Sequence, residues 1–257
     1  MTDGALLRVE AVSLYFGGLG ALDDVSFTAG GGICGLIGPN GAGKTTLLNA
    51  VSGVLPPSRG RILIDERPTA GLAPHRLAAL GVARTFQNVR LFGELSVLDN
   101  VRLGYHLRQH SNLLETVLRL PHARRDERES AAAALALLER LSLAHLAGAE
   151  ASALAYGDQR RVEIARALAL EPRLLLLDEP AAGLNATETE QLGDFLRALS
   201  VQGRTLLLVE HDMDLIMRVC DHIVVLNFGR KIAEGPPDVV RQDRRVIDAY
   251  LGEEASA

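Results

Sequence analysis

Apolar and polar residues partly alternate through Leu6-Leu7-Arg8-Val9-Glu10-Ala11-Val12-Ser13-Leu14-Tyr15-Phe16, the period of a strand with one face on a core. Gly17-Gly18-Leu19-Gly20 turns the chain, and Leu22 to Thr28 reads as the hairpin partner. Gly30-Gly31-Gly32 breaks this unit from the apolar run Ile33-Cys34-Gly35-Leu36-Ile37, which predicts a strand. Thr46-Leu47-Leu48-Asn49-Ala50-Val51 then predicts a helix. A turn-rich connector, Gly53 to Gly60, leads to the short strand Arg61-Ile62-Leu63-Ile64-Asp65. Pro74 to Leu80 begins with a first-turn proline and reads as a helix, ended by Gly81. Val82-Ala83-Arg84-Thr85-Phe86 returns as a strand into Gln87.

From Ser96 to about Ala153 the period becomes helical, most clearly in Ala131-Ala132-Ala133-Ala134-Leu135-Ala136-Leu137-Leu138-Glu139-Arg140-Leu141. The charged run Arg124-Arg125-Asp126-Glu127-Arg128-Glu129 reads as the solvated start of that helix. Tyr156-Gly157-Asp158 opens another helix, Gln159 to Leu170, which Glu171-Pro172 stops. Arg173-Leu174-Leu175-Leu176-Leu177-Asp178 is apolar without alternation, as expected of a parallel strand buried on both faces. A helix from Thr187 to Leu199 follows, then a second such strand, Thr205 to Val209, ending in Glu210-His211-Asp212. Met213 to Cys220 is helical, Ile223 to Asn227 and Arg230 to Ala233 form a hairpin, and a last helix spans about 238–252. The fold class is therefore α/β, with an N-terminal antiparallel β subdomain and an inserted α-helical subdomain. One domain, 5–252, is expected: a core of 5–87 and 159–240, the helical subdomain at about 88–158, and the C-terminal helix.

Composition narrows the setting. Of 257 residues 47% are hydrophobic and 23% charged, ordinary for a folded protein, and the net charge of −5 gives no case for general nucleic-acid binding. Cys34 and Cys220 lie far apart in apolar surroundings and read as buried thiols in a reducing compartment. No secretory signal opens the chain, and no run approaches ~18 apolar residues, so a cytoplasmic protein is expected, with any membrane role supplied by a partner.

The chemistry concentrates in Gly38-Pro39-Asn40-Gly41-Ala42-Gly43-Lys44-Thr45-Thr46, which follows a strand and opens a helix. Small residues let the backbone wrap so that several N–H groups face one phosphate chain, and the helix N-terminus adds positive charge. Lys44 can reach the β- and γ-phosphates, and the Thr45 hydroxyl can ligate Mg²⁺. Asp178, ending a buried strand, can hold Mg²⁺ directly or through water. Glu179 can serve as general base or water-orienting group. Gln87 ends a strand with an amide able to ligate Mg²⁺ or the attacking water. His211, alone of seven histidines, follows a buried strand and can hydrogen-bond a γ-phosphate oxygen. His222 reads as a packing or surface residue.

Together these segments resemble an ATP-binding cassette (ABC) ATPase from Leu6 to about Gly252, a fold built on a P-loop NTPase core. Gly38 to Thr45 resembles the Walker A motif, Leu174 to Asp178 the Walker B strand with Glu179 as catalytic glutamate, Gln87 the Q-loop, His211 the switch histidine, and Ala182-Gly183-Leu184-Asn185 the D-loop. Leu154-Ala155-Tyr156-Gly157-Asp158-Gln159 stands where Leu-Ser-Gly-Gly-Gln is expected. Ala155 and Tyr156 replace the usual Ser-Gly, so Gly157 and the helix N-terminus must supply more of the contact to the γ-phosphate held by the opposite subunit. Asp158 suits this position if its side chain points away from the phosphate. Phe16 resembles the aromatic that stacks on adenine, with Tyr15 the runner-up.

Ala83 to Phe92, Tyr156 to Arg161, Pro180 to Asn185 and the ending Val246 to Gly252 are similar to the ATPase subunits of branched-chain amino acid importers. The resemblance implies ATP and Mg²⁺ as ligands and a head-to-tail pair with a second ATPase subunit, either a copy or a sister chain. It also implies permease subunits in the membrane, an indirect substrate-binding protein, and a peripheral position on the cytoplasmic face of the membrane. Asn88 to Ser96 is the expected membrane-subunit contact. Urea import and lipopolysaccharide export are the alternative cargoes. A soluble ABC protein acting on DNA or ribosomes would carry paired cassettes or long coiled-coil insertions. A P-loop kinase would leave Gln87, the signature and His211 unexplained.

Overall fold

The structure is a computed structural model, and it describes residues 5–85, 90–106 and 121–254. In chain order its strands are β1 Leu7–Phe16, β2 Leu19–Ala29, β3 Gly32–Ile37, β4 Arg59–Ile64, β5 Arg67–Pro68, β6 Val82–Arg84, β7 Leu174–Asp178, β8 Thr205–Val209, β9 His222–Asn227 and β10 Arg230–Gly235. Its α-helices are α1 Lys44–Val51, α2 Pro74–Ala79, α3 Val97–His106, α4 Pro121–Arg140, α5 Tyr156–Leu168, α6 Ala186–Val201, α7 Met213–Val219, α8 Pro237–Gln242 and α9 Arg244–Glu254. The chain up to Arg84 and from Arg173 onward forms one compact unit, and Thr85–Pro172 forms another.

In the first unit an antiparallel sheet runs β2-β1-β4-β5. Leu7 and Val9 of β1 point inward, and so do Val12 and Leu14. The phase changes because the register shifts between Val9 and Val12, where Ala11 takes a φ of +49°. A β-bulge of this kind explains why the alternation is only partial. The second sheet runs β10-β9-β3-β8-β7-β6, with β9, β3, β8, β7 and β6 parallel and β10 antiparallel at the edge. Every residue of β7 and β8 is buried, as their unbroken apolar runs require. Leu47 and Leu48 of α1 share one core with Val9, Val12 and Leu22 of the first sheet and Leu36, Leu174 and Leu207 of the second. The helix carrying Lys44 and Thr45 is thus fixed along its inner side by apolar burial.

The second unit is helical. Helices α3 and α4 both pack on α5, so α5 belongs with them rather than with the core. The boundary expected at 158/159 therefore falls after Pro172. Glu127, Arg128 and Glu129 of α4 are exposed, in keeping with a solvated helix face. The C-terminal helix expected over 238–252 is two helices. Asp243 between them is extended, and its carboxylate accepts from the Arg245 N–H at 2.9 Å, which starts α9 afresh. Among the described residues no helix is long and apolar enough to cross a membrane.

Candidate functional site

The loop Gly38 to Thr45 leaves the end of β3 and enters α1. Gly38 has a φ of +146°, and a Cβ there would lie 2.0 Å from the Leu226 carbonyl oxygen. Gly43, at +101°, would meet the Ala21 carbonyl oxygen at 2.7 Å. Only glycine fits either position. The turn after β9 closes on the loop as well: Gly229 N–H donates to Ala42 O at 3.0 Å, and Asp23 N–H donates to Gly229 O at 2.8 Å. Lys44 is buried, and its Nζ donates to the carbonyls of Gly38 at 2.6 Å and Pro39 at 2.9 Å. Its side chain therefore curls back along the loop whose carbonyls it holds.

Whether an anion fits here can be read from how the helices begin. Each α-helix leaves its first N–H groups without intrahelical partners. Helices α6 and α7 satisfy them with Asn185, in a capping box with Glu188, and with Asp212. Helices α2 and α8 begin with proline, which has one donor fewer. At α1 neither device occurs: Gly43 offers no side-chain cap, and the first turn holds no acidic residue. This donor set fits a phosphate chain.

Asp178 ends β7 opposite Val209 of β8 and is almost wholly buried. Arg84, ending β6, reaches it: Nη2 lies 3.2 Å from Asp178 Oδ2. The same guanidinium donates through Nη1 to Asn49 Oδ1 at 2.7 Å and to Ser52 Oγ at 2.8 Å, on α1 and just past its end. One arginine thus ties the strand-end carboxylate to the helix of the phosphate loop. The sequence motifs do not include it, although an arginine between Ala83 and Phe86 in a short strand is a charge that needs a buried partner.

Glu179 follows with a φ of +50°, left-handed and strained for a residue with a side chain. Its N–H donates to Val209 O at 2.9 Å, which locks the turn. His211 Nε2 lies 2.7 Å from Glu179 Oε1, so the two residues expected to act separately form one hydrogen-bonded pair. Glu210, next to His211 and 4% exposed, accepts from Ala181 N–H at 2.7 Å and His211 N–H at 3.2 Å. Burial pushes its carboxyl pKa up, the two N–H donors pull it down, and Glu179 and Asp212 add to the rise. In the sequence Glu210 stands out only as part of a strand end.

Gln87 lies outside the described residues. Tyr15 and Phe16 end β1, and Phe16, 50% exposed, is the more open of the two, while the Tyr15 ring lies against Gly20. His222 Nε2 meets Glu234 Oε1 at 2.9 Å across β9 and β10, a structural pairing. Both thiols are free and buried, and burial pushes that of Cys220 up to about 12. Among the described residues no group of three or more His, Cys, Asp or Glu side chains could hold a metal by themselves.

In the second unit Tyr156, Gly157 and Asp158 form the first turn of α5. Ala155 at the N-cap offers no side-chain bond, so this helix start lacks a side-chain cap as that of α1 does, although its first turn holds Asp158. The Asp158 carboxylate turns to Arg161 instead of lying over the helix end. Arg160 stacks over the Tyr156 ring, 5.5 Å from its centroid, and lies 3.3 Å from Glu163 in a buried pair. Gly157 is buried and Tyr156 exposed. Asn100 of α3 accepts from Phe92 N–H at 2.9 Å and donates to Phe92 O at 3.0 Å, holding the loop before the helix, which exposes Phe92 and Leu95.

Residues 22–182 match the family model described as ABC transporter, and residues 230–256 match that of the branched-chain amino acid ATP-binding cassette transporter. The chain is 44% identical over 250 residues to the high-affinity branched-chain amino acid transport ATP-binding protein BraF of Pseudomonas aeruginosa, covering 96% of this chain and 98% of that one. It is 44% identical, with the same coverage, to LivG of Escherichia coli, which carries the same description. Among solved structures, a nucleotide-free ATP-binding cassette from an ABC transporter superposes with a TM-score of 0.83 at 32% identity, covering 96% and 98% of the two chains. A dimeric ATP-binding cassette in a post-hydrolysis state bound to ADP and Pi superposes with a TM-score of 0.79 at 26% identity, covering 90% and 98%.

Proposed function

Because the chain belongs to the ABC transporter ATP-binding family, we propose that it is the ATP-hydrolysing subunit of an importer of branched-chain amino acids. The observation that carries the ATPase reading is the uncapped start of α1 beside the Asp178, Glu179 and His211 cluster. The C-terminal match over residues 230–256 and the names of the relatives support the cargo.

In this reading the α1 N-terminus and the loop amides take the phosphates, and Lys44 exchanges its carbonyl partners for phosphate oxygens. Lys44→Ala is expected to weaken nucleotide binding roughly tenfold to a hundredfold, the loss of a charge-assisted hydrogen bond or two. Fluorescent-nucleotide titration reads this directly, and unchanged affinity contradicts it. The Thr45 hydroxyl and the Asp178 carboxylate are hard oxygen donors suited to Mg²⁺, with Gln87 a further candidate. When bound, the cation supplies positive charge against the phosphate oxygens as they separate. Glu179 prepares the attacking water. His211, held on Glu179, orients that carboxylate and is placed to meet the γ-phosphate. Phe16 stacks on the adenine.

Each chain carries one phosphate loop and one α5 start without a side-chain cap. Two subunits, copies or sister chains, therefore close head to tail, each lending Tyr156, Gly157 and the α5 N-terminus to the other's nucleotide. The Asn88 to Ser96 stretch, of which 88 and 89 lie outside the described residues and Phe92 and Leu95 are exposed, docks the permease on the cytoplasmic face of the membrane. Cells lacking this chain are expected to lose leucine, isoleucine and valine uptake. Unchanged uptake where no second system exists would move the cargo to urea or lipopolysaccharide while leaving the ATPase intact.

A further inference from the structure

Glu210 is a carboxylate buried with backbone donors at both oxygens and, among the described residues, no cation hydrogen-bonded to it. Oε1 takes the Ala181 N–H at 2.7 Å and Oε2 the His211 N–H at 3.2 Å. Those two donors lie on opposite sides of the Glu179 and His211 contact. Ala181 is two residues beyond Glu179 on the same turn, where Ala182 N–H returns to Glu179 O at 3.2 Å. His211 is the other partner itself. Burial and the neighbouring Glu179 and Asp212 carboxylates all oppose an ionised group here, and only the two N–H donors favour it. A side chain that served packing alone would be better apolar.

We propose that Glu210 is the positioning residue of the hydrolytic pair. Its carboxylate holds the backbone on the far side of Glu179 and the backbone of His211 together, and so fixes where His211 Nε2 meets Glu179 Oε1. The strained φ of Glu179 fits this role, because such a conformation persists only where its surroundings over-determine it. The same anchor fixes the start of the turn from Ala181 to Asn185, where Leu184 N–H returns to Ala181 O at 3.1 Å before Asn185 caps α6. This rests on the assignment of Glu179 as the group that prepares the attacking water.

Glu210→Gln tests it. The amide keeps the shape but presents an NH₂ to one of the two N–H donors, so one clamp contact is lost. A raised carboxyl pKa means that the ionised form costs stability above that pKa and the cost fades as pH falls through it; the neutral amide carries no such cost. The expected result at pH 8 is a kcat about tenfold to a hundredfold lower, with Mg·ATP affinity within about twofold of wild type and Tm not reduced. An unchanged kcat overturns the proposal. So does a fall in kcat that comes with a matching loss of affinity or Tm, which a purely structural group would produce. Glu179→Gln measured alongside keeps the two assignments apart. Full turnover in that variant overturns the role of Glu179. Loss there beside normal turnover in Glu210→Gln overturns only the clamp.

Discussion

Glu179→Gln is expected to bind Mg·ATP as the wild type does and to turn it over about 10²- to 10⁴-fold more slowly, the range for removing a general base. The local geometry makes this substitution clean. The backbone of Glu179 is held by its own N–H bond to Val209 O and by the Glu210 contact two residues on, neither of which uses its side chain. His211 Nε2 can still bond a glutamine oxygen where it now meets Oε1, so the pair keeps its shape and loses only its charge. Steady-state hydrolysis together with nucleotide titration checks both halves. Normal hydrolysis would end the assignment, and lost binding would point to collapse of the turn instead.

Arg84→Met is expected to cost about 3–5 kcal/mol of folding stability, the penalty for removing one member of a buried ion pair. Side-chain exposures of 8% for Arg84 and 1% for Asp178 put the pair in the regime where that penalty applies. Set against a total of roughly 5–15 kcal/mol, the loss is severe. Part of it should return in the Arg84→Met, Asp178→Asn double variant, because the carboxylate left facing no guanidinium is then neutral. Urea denaturation of the wild type, the two single variants Arg84→Met and Asp178→Asn, and the double variant gives the coupling. A loss under about 1 kcal/mol in the single variant would mean that water or another group takes over the pairing.

These two residues also mark what could be read in advance. The phosphate loop is legible because its chemistry is local: spacing, small residues and a following apolar helix all fall within one short stretch. Strands β7 and β8 are legible because burial on both faces writes an unbroken apolar run. Arg84 is not, because its partners Asn49 and Asp178 lie 35 and 94 residues away in sequence. Glu210 bonds Ala181 across 29 residues, from the end of one buried strand to the turn after another. Helix α5 shows the same limit at the scale of units. Its period identifies a helix, but only the packing of α3 and α4 decides which body owns it. The split of the last helix at Asp243 is a matter of one side chain capping forward, a choice that periodicity alone does not make.

The uncapped helix starts of α1 and α5 carry a thermodynamic consequence. A fold that leaves donors for a ligand to complete is a fold whose stability is set partly by mass action. At a free nucleotide concentration about a hundred times Kd, a single site adds ~2.7 kcal/mol to the folded state, and nothing when nucleotide is gone. Protection against unfolding and proteolysis is therefore expected to rise with free nucleotide, which limited proteolysis across a nucleotide titration reads.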